Sequence, residues 1–221
     1  MTSPSTPRPV PPGNARRVLL LIAGLPLTMI LAATWLWYFV ERGELDVVSL
    51  LGTANHGTLL SPPLRIDERP LLEQSGAEFD YLEGEPRWTL LIPGSVDCDA
   101  VCEHRLYTTR QLHVAMGRDM ARIRRIYLVA APLAEVDFSV SALSDQRPLP
   151  QNFADYLQQE HPRMPLLGGE GAAQLSEQLM MEVEPGSWYL VDPAGWIMMR
   201  YPPTVHYRDV MQDLKFLLKN S

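Results

Sequence analysis

The sequence predicts an α/β domain, one mixed sheet flanked by helices, preceded by a single N-terminal transmembrane helix. Three observations carry this reading. From Val18 to Val40 there are 23 residues without a charge, long enough to cross hydrocarbon as a helix. The apolar run Trp88 to Ile92 has the pattern of a strand buried on both faces, and the mostly apolar Arg125 to Ala131 is a second strand candidate. The signals then follow the order strand, helix, strand, helix, hairpin, helix, and that order builds a mostly buried sheet covered by helices.

At the N-terminus, residues 1–17 hold Arg8, Arg16 and Arg17 without an acid, and the first 13 residues include five prolines. Such a segment cannot bury apolar surface and is expected to be a disordered tail. The apolar run ends in Trp35, Trp37 and Tyr38 rather than in small residues, which suits the lipid–water interface and an uncleaved anchor better than a signal peptide. Arginines before the span and Glu41, Glu44 and Asp46 after it place the tail in the cytoplasm. In a bacterial inner membrane the rest of the chain then faces the periplasm, where thiols are usually oxidised. The expected organisation is a tail over 1–17, a transmembrane helix over 18–40, a linker over 41–56 and one domain over 57–221. With 26 acidic against 19 basic residues and a net charge of −7, the chain lacks the basic face that a nucleic-acid binder needs.

Within the domain, residues 49–68 are rich in turn formers and read as an extended lead-in with a hairpin or short strand. After the Trp88 strand, Asp97 or Asp99 can cap a helix whose buried stripe is Leu112, Met116 and Met120. Val136 to Val140 is an edge strand or an arm. Helices are expected over 151–160 and 171–181, around a Pro- and Gly-rich break at 162–169. Ser187 to Val191 and Trp196 to Tyr201 flank the turn sequence Asp192-Pro193-Ala194-Gly195 and form a hairpin. Tyr207, Met211, Leu214 and Leu218 mark an amphipathic C-terminal helix.

The chemical signal is the pair Cys98 and Cys102. It stands where a buried strand hands over to a helix, so Cys98 lies near unpaired N–H groups and the positive end of the helix dipole, which favour a thiolate. Four residues make one helical turn, so both sulfurs can share one side and form a disulfide or hold one metal ion. Asp97, Asp99 and Glu103 suggest a polar, accessible setting. The bland alternatives are two buried inert thiols or a stabilising disulfide, the latter worth little across so short a loop.

The Trp88-Thr89-Leu90-Leu91-Ile92 strand, a short Gly-containing loop, C-x3-C and a long helix together resemble the SCO/SenC family of membrane-anchored, thioredoxin-like proteins that assist cytochrome c oxidase assembly. The lead-in from Asn55 to Leu60 with Pro62-Pro63, and the hairpin from Tyr189 to Gly195, are similar as well. The resemblance implies a thioredoxin-like fold and a partner in the copper-site subunit of the oxidase or other assembly factors. It also implies copper held by Cys98, Cys102 and a histidine shortly before the hairpin. Glu184 occupies that place here, and a carboxylate is a poor ligand for Cu(I). Dithiol exchange gains ground, with Cys98 attacking, Cys102 resolving and Pro185 facing them. The function expected is therefore reduction of copper-site cysteines or copper delivery. The alternatives are a general periplasmic thiol–disulfide oxidoreductase and a non-catalytic assembly scaffold.

The other candidates have bland readings. His104 reads as a solvated surface residue and His113 as a core or boundary one, while His56, His161 and His206 have no partner visible in sequence. Met180 and Met181 are soft but more often core filler. Arg118, Arg122, Arg124 and Arg125 read as a solvated basic cluster capping the cysteine helix, and Trp188 and Trp196 as core. No Ser-His-Asp spacing, HExxH or Gly-rich phosphate loop is present, so hydrolase and nucleotide-binding functions lack support.

Overall fold

The computed structural model describes residues 12–41, 55–181 and 183–220. They fall into two units, divided after Ala54. The expected linker lies largely, and the first 11 residues of the expected tail wholly, outside the described residues. In the first unit, α1 (Pro12–Glu41) extends the apolar run at both ends and contains Pro26. Its stretch from Arg17 to Phe39 is long and apolar enough to cross a membrane.

The second unit is a six-stranded mixed sheet in the order β1-β8-β7-β2-β4-β6. These strands are β1 (Thr58–Arg65), β2 (Trp88–Pro93), β4 (Ile123–Leu128), β6 (Leu166–Leu167), β7 (Trp188–Val191) and β8 (Trp196–Tyr201). β2, β4 and β6 run parallel, while β7 is antiparallel to β2 and to β8, and β1 closes the far edge antiparallel to β8. A separate two-residue pair joins β3 (Asp97–Cys98) to β5 (Asp137–Phe138). The helices are α2 (Ala100–Ala115), α3 (Phe153–Glu160), α4 (Glu170–Met180) and α5 (Tyr207–Asn220).

Both faces of the sheet are covered, which is why β2 reads as a continuous apolar run: all six of its residues are buried. Leu91, Ile126 and Val191 pack under Ala172, Leu175 and Leu179 of α4 on one face. Leu90, Leu190 and Met199 meet Leu112 and Met116 beside α2 and Val210, Leu214 and Leu218 of α5 on the other. In the hairpin, the Asp192 carboxylate accepts from the Ala194 and Trp196 N–H groups, and Gly195 adopts the positive φ the turn requires.

Several boundaries differ from the sequence reading. The second strand runs from Ile123 to Leu128, not 125 to 131, because Ile123 pairs in register with Trp88 and the chain leaves the sheet after Leu128. β6 lies inside the expected break, too short at two residues to leave a periodic signal. α2 ends before Gly117, whose φ is positive, and Met120 stands on a following 3-10 turn, exposed rather than in the buried stripe. Trp188 is core as expected, but Trp196 is partly exposed beneath the Arg65 guanidinium.

Candidate functional site: the disulfide at the start of α2

β2 delivers the chain to the site. At Gly94 a Cβ would run into the Leu128 carbonyl and the Tyr127 ring, so only glycine lets the strand leave the sheet there. Of the two candidate caps, Asp99 is the one used. Its carboxylate accepts from the N–H groups of Val101 at 3.0 Å and Cys102 at 2.9 Å, satisfying donors that the first helical turn leaves open. Asp97 instead accepts from the Ser139 hydroxyl at 2.9 Å.

Cys98 and Cys102 form a disulfide, with their Cα atoms 5.1 Å apart. It is not accessible as the sequence suggested: Cys98 is 0% and Cys102 5% exposed. The cause is the arm Val136–Val140. Cys98 pairs with Phe138, and the Ser139 N–H donates to the Cys98 carbonyl at 3.2 Å. Val136, Val140, Leu143, Phe153 and Tyr156 then pack with the two sulfurs in one apolar cluster. The neighbouring acids do not make the disulfide polar either. Glu103 is buried and accepts from the Ser144 hydroxyl at 2.6 Å and N–H at 3.1 Å, and lies 3.4 Å from the Tyr156 hydroxyl.

Two guanidinium groups are buried against α2. Arg125 is 7% exposed rather than part of a solvated cap. It donates to the Leu106 carbonyl at 2.9 Å, the Thr109 hydroxyl at 3.0 Å and His161 Nδ1 at 3.2 Å. Burial lowers its pKa to about 9. The same burial, with Arg125 and Arg110 adding repulsion, holds His161 down at about 2, so this ring is neutral and accepts at Nδ1. Its Nε2, carrying the proton, donates to the Tyr156 hydroxyl at 3.2 Å. Arg124 donates to Thr89 at 2.9 Å and lies over the Tyr81 ring, and Arg122 donates to the Leu218 carbonyl at 2.7 Å.

The second buried guanidinium, Arg105, is 6% exposed and was not singled out by the sequence. Its Nη1 donates to the Ser187 carbonyl at 3.3 Å, its Nε has no hydrogen-bond partner, and burial lowers its pKa. It forms part of a groove of about 420 Å³ between α2 and the loops before β7 and after β8. Ala100, Val101, His104 and Thr108 make one side, and Glu184, Pro185, Gly186, Pro203 and Val205 the other. The segment Glu184-Pro185-Gly186 therefore does stand beside the turn that separates the two cysteines. A Cβ on Gly186 would lie 2.7 Å from the Val101 side chain.

No histidine joins the cysteines. His104 lies against Ser144 at 3.2 Å, His113 faces the Met120 and Ile123 carbonyls, and His206 accepts from the Arg208 N–H. His56 is 2.9 Å from the buried Asp213, which also accepts from the Tyr201 hydroxyl. Among the described residues no three His, Cys, Asp or Glu side chains are grouped to hold a metal ion. Sulfurs tied in a disulfide present no thiolate, so the donor set in this state does not match the three-ligand copper site that the family resemblance implies.

A mixed sheet with helices on both faces and a C-x3-C disulfide at a strand-to-helix junction defines a thioredoxin-like domain. The sequence matches the family described as transmembrane-like, thioredoxin-like, C-terminal domain over residues 88–141 and 135–221. The chain belongs to that family. Solved structures of similar fold include copper-bound ScoI from Arabidopsis thaliana, at 12% identity and TM-score 0.50, covering 75% of this chain and 99% of that one. Copper-bound yeast Sco1 is similar at 16% identity and TM-score 0.50, covering 77% and 96%. The SCO/SenC resemblance thus holds at the level of the fold. No curated protein matches the sequence.

Proposed function

We propose that the chain is a membrane-anchored assembly factor, tethered to a bacterial inner membrane by α1 with its domain in the periplasm, that serves the copper-site cysteines of cytochrome c oxidase by thiol–disulfide exchange. The observation that carries this is the Cys98–Cys102 disulfide at the capped start of α2, with no imidazole beside it. In the exchange, the Cys98 thiolate of the reduced protein attacks a client disulfide and forms a mixed disulfide. The Cys102 thiolate then displaces the client sulfur. Two electrons pass to the client, which leaves as a dithiol, and the Cys98–Cys102 disulfide remains. A thiol reductant of the same compartment must return those electrons. The N–H groups and dipole at the start of α2 favour the attacking thiolate once the bond is open.

Complementation tests the reading. In a host lacking the gene, Cys98→Ser and Cys102→Ser forms present at normal membrane levels are expected to leave oxidase activity low. Full rescue by either form would refute thiol chemistry and favour an assembly scaffold. Rescue that fails equally for unrelated periplasmic disulfide proteins would point to a general oxidoreductase.

A further inference from the structure

The groove beside the disulfide ends on a buried guanidinium that makes no direct salt bridge among the described residues, the Asp99 carboxylate acting on it only at a distance. Arg105 is 6% exposed, yet among the described residues it makes no salt bridge, and its one hydrogen bond goes to a carbonyl at 3.3 Å. Arg110, on the same helix and more exposed, pairs with both Asp145 and Glu160. Arg125, equally buried and likewise without a salt bridge among the described residues, has three hydrogen-bond partners on its terminal nitrogens, its Nε being unpartnered like that of Arg105. Buried guanidinium groups are normally paired because removing their hydration is expensive. Around Arg105 the groove has apolar lining from Val101, Trp188, Pro203 and Val205, with His104 and Thr108 beside them on α2. Glu184 stands on the rim and is exposed, so water screens it from the floor.

We infer that this groove is a docking site for a client polypeptide, and that Arg105 receives the carboxylate of an acidic client side chain. Ala100 and Val101, which lie between the two cysteines in sequence, also line the groove. Desolvation by the client strengthens the pair, and the apolar lining accepts the client residues that flank the acid.

This inference rests on the thiol-exchange reading but is tested without it. The probes are fluorescein-labelled Ala-Ser-Gly-Glu-Leu, with Ser in place of the client cysteine, and its Gln counterpart. Their binding to the oxidised full-length chain in detergent is followed by anisotropy. The Glu peptide is expected to bind about tenfold more tightly than the Gln peptide, the worth of one desolvated charge-assisted pair. Arg105→Met should abolish the preference and Arg105→Lys should keep part of it. Thr108→Trp, which fills the groove from the half-exposed face of α2, should weaken both peptides. Equal binding of the two peptides to the natural chain, or a preference that survives Arg105→Met, overturns the inference. So does succinate competing as strongly as the peptide, since that describes a small-anion site. Because the probes carry no thiol, failure here leaves exchange standing, and full rescue by the thiol variants, which refutes exchange, leaves these affinities unchanged.

Discussion

Reducing the disulfide separates two accounts of it. Cys98 and Cys102 are four apart in sequence, so the bond closes a loop of about five residues. Chain entropy then gives about 7 cal/mol/K, or about 2 kcal/mol at 25 °C. The rest of the site does not depend on the bond. Asp99 still caps α2, the β3–β5 pair still forms, and the cluster of Val136, Val140, Leu143, Phe153 and Tyr156 remains buried. A domain of this size moves about 2–4 °C per kcal/mol, so the midpoint should fall by about 4–8 °C. The assay is thermal unfolding of the full-length chain in detergent, read from near-UV tryptophan signals, oxidised and then reduced. The Cys98→Ala/Cys102→Ala double variant is the control that cannot reoxidise. A fall several times larger than about 8 °C, or loss of the cooperative transition, would refute the reasoning. The bond would then be a structural staple, and the reduced form that thiol exchange requires would not be a folded protein.

Two further outcomes follow from the same geometry. Stability should fall on both sides of neutrality. His56 is raised above its ordinary value of 6.5 by its hydrogen bond to Asp213, so its contribution is complete below about pH 6.5 and is lost as pH rises through the raised value. His161 is held neutral at about 2 by burial, so its contribution is lost as pH falls below 6.5, where the unfolded chain binds the proton and the folded one does not. Unfolding midpoints across pH 4 to 9 check this: His56→Asn should flatten the alkaline limb and His161→Gln the acid limb, and an unchanged slope in either variant contradicts the assignment. For copper, the oxidised chain should take up none. After reduction, any Cu(I) bound should vanish in both Cys98→Ser and Cys102→Ser and be unaffected by Glu184→Gln. A Cu(II) site with imidazole coordination by electron paramagnetic resonance would refute the donor set described above.

The elements legible in the sequence are those whose burial is written locally. β2 is apolar at every position because both faces of it are covered, and the Asp192 to Gly195 turn is specified by its own side chains. What escaped is non-local. The pairing of Cys98 with Phe138 joins residues 40 apart and leaves only two-residue strands, so nothing near the cysteines announces that they are covered. The basic cluster misled for a related reason. Arg125 lies on a strand, where side chains alternate in direction, and it points under α2 while its neighbour Arg124 points to Thr89 and Tyr81. Glu184 lines one groove with Ala100 and Val101, a proximity no local pattern announces, since a loop has no periodicity of its own. Arg105 could have been found as a charge at a position where the α2 stripe of Cys102, Leu106 and Thr109 faces the core.

The two sides of α2 therefore differ in what they need from a client. On one side the disulfide is closed by an arm held to β3 through only two paired residues. On the other a preformed groove is open to solvent and holds an incompletely satisfied cation. A client that first fills the groove places its chain across Val101, between the two cysteines, before the sulfurs are reachable. Opening then costs the short β3–β5 pair and part of one apolar cluster, not the sheet or the helix. Such local openings lie well below the global unfolding free energy, so burial of the disulfide limits its reaction with bystander thiols without forbidding reaction with a docked client. Selectivity is thereby divided between a recognition surface that is always present and a reactive bond that is exposed only on opening. The division predicts that weakening the arm, as in Phe138→Ala, speeds reduction by small thiols while leaving peptide affinity for the groove unchanged.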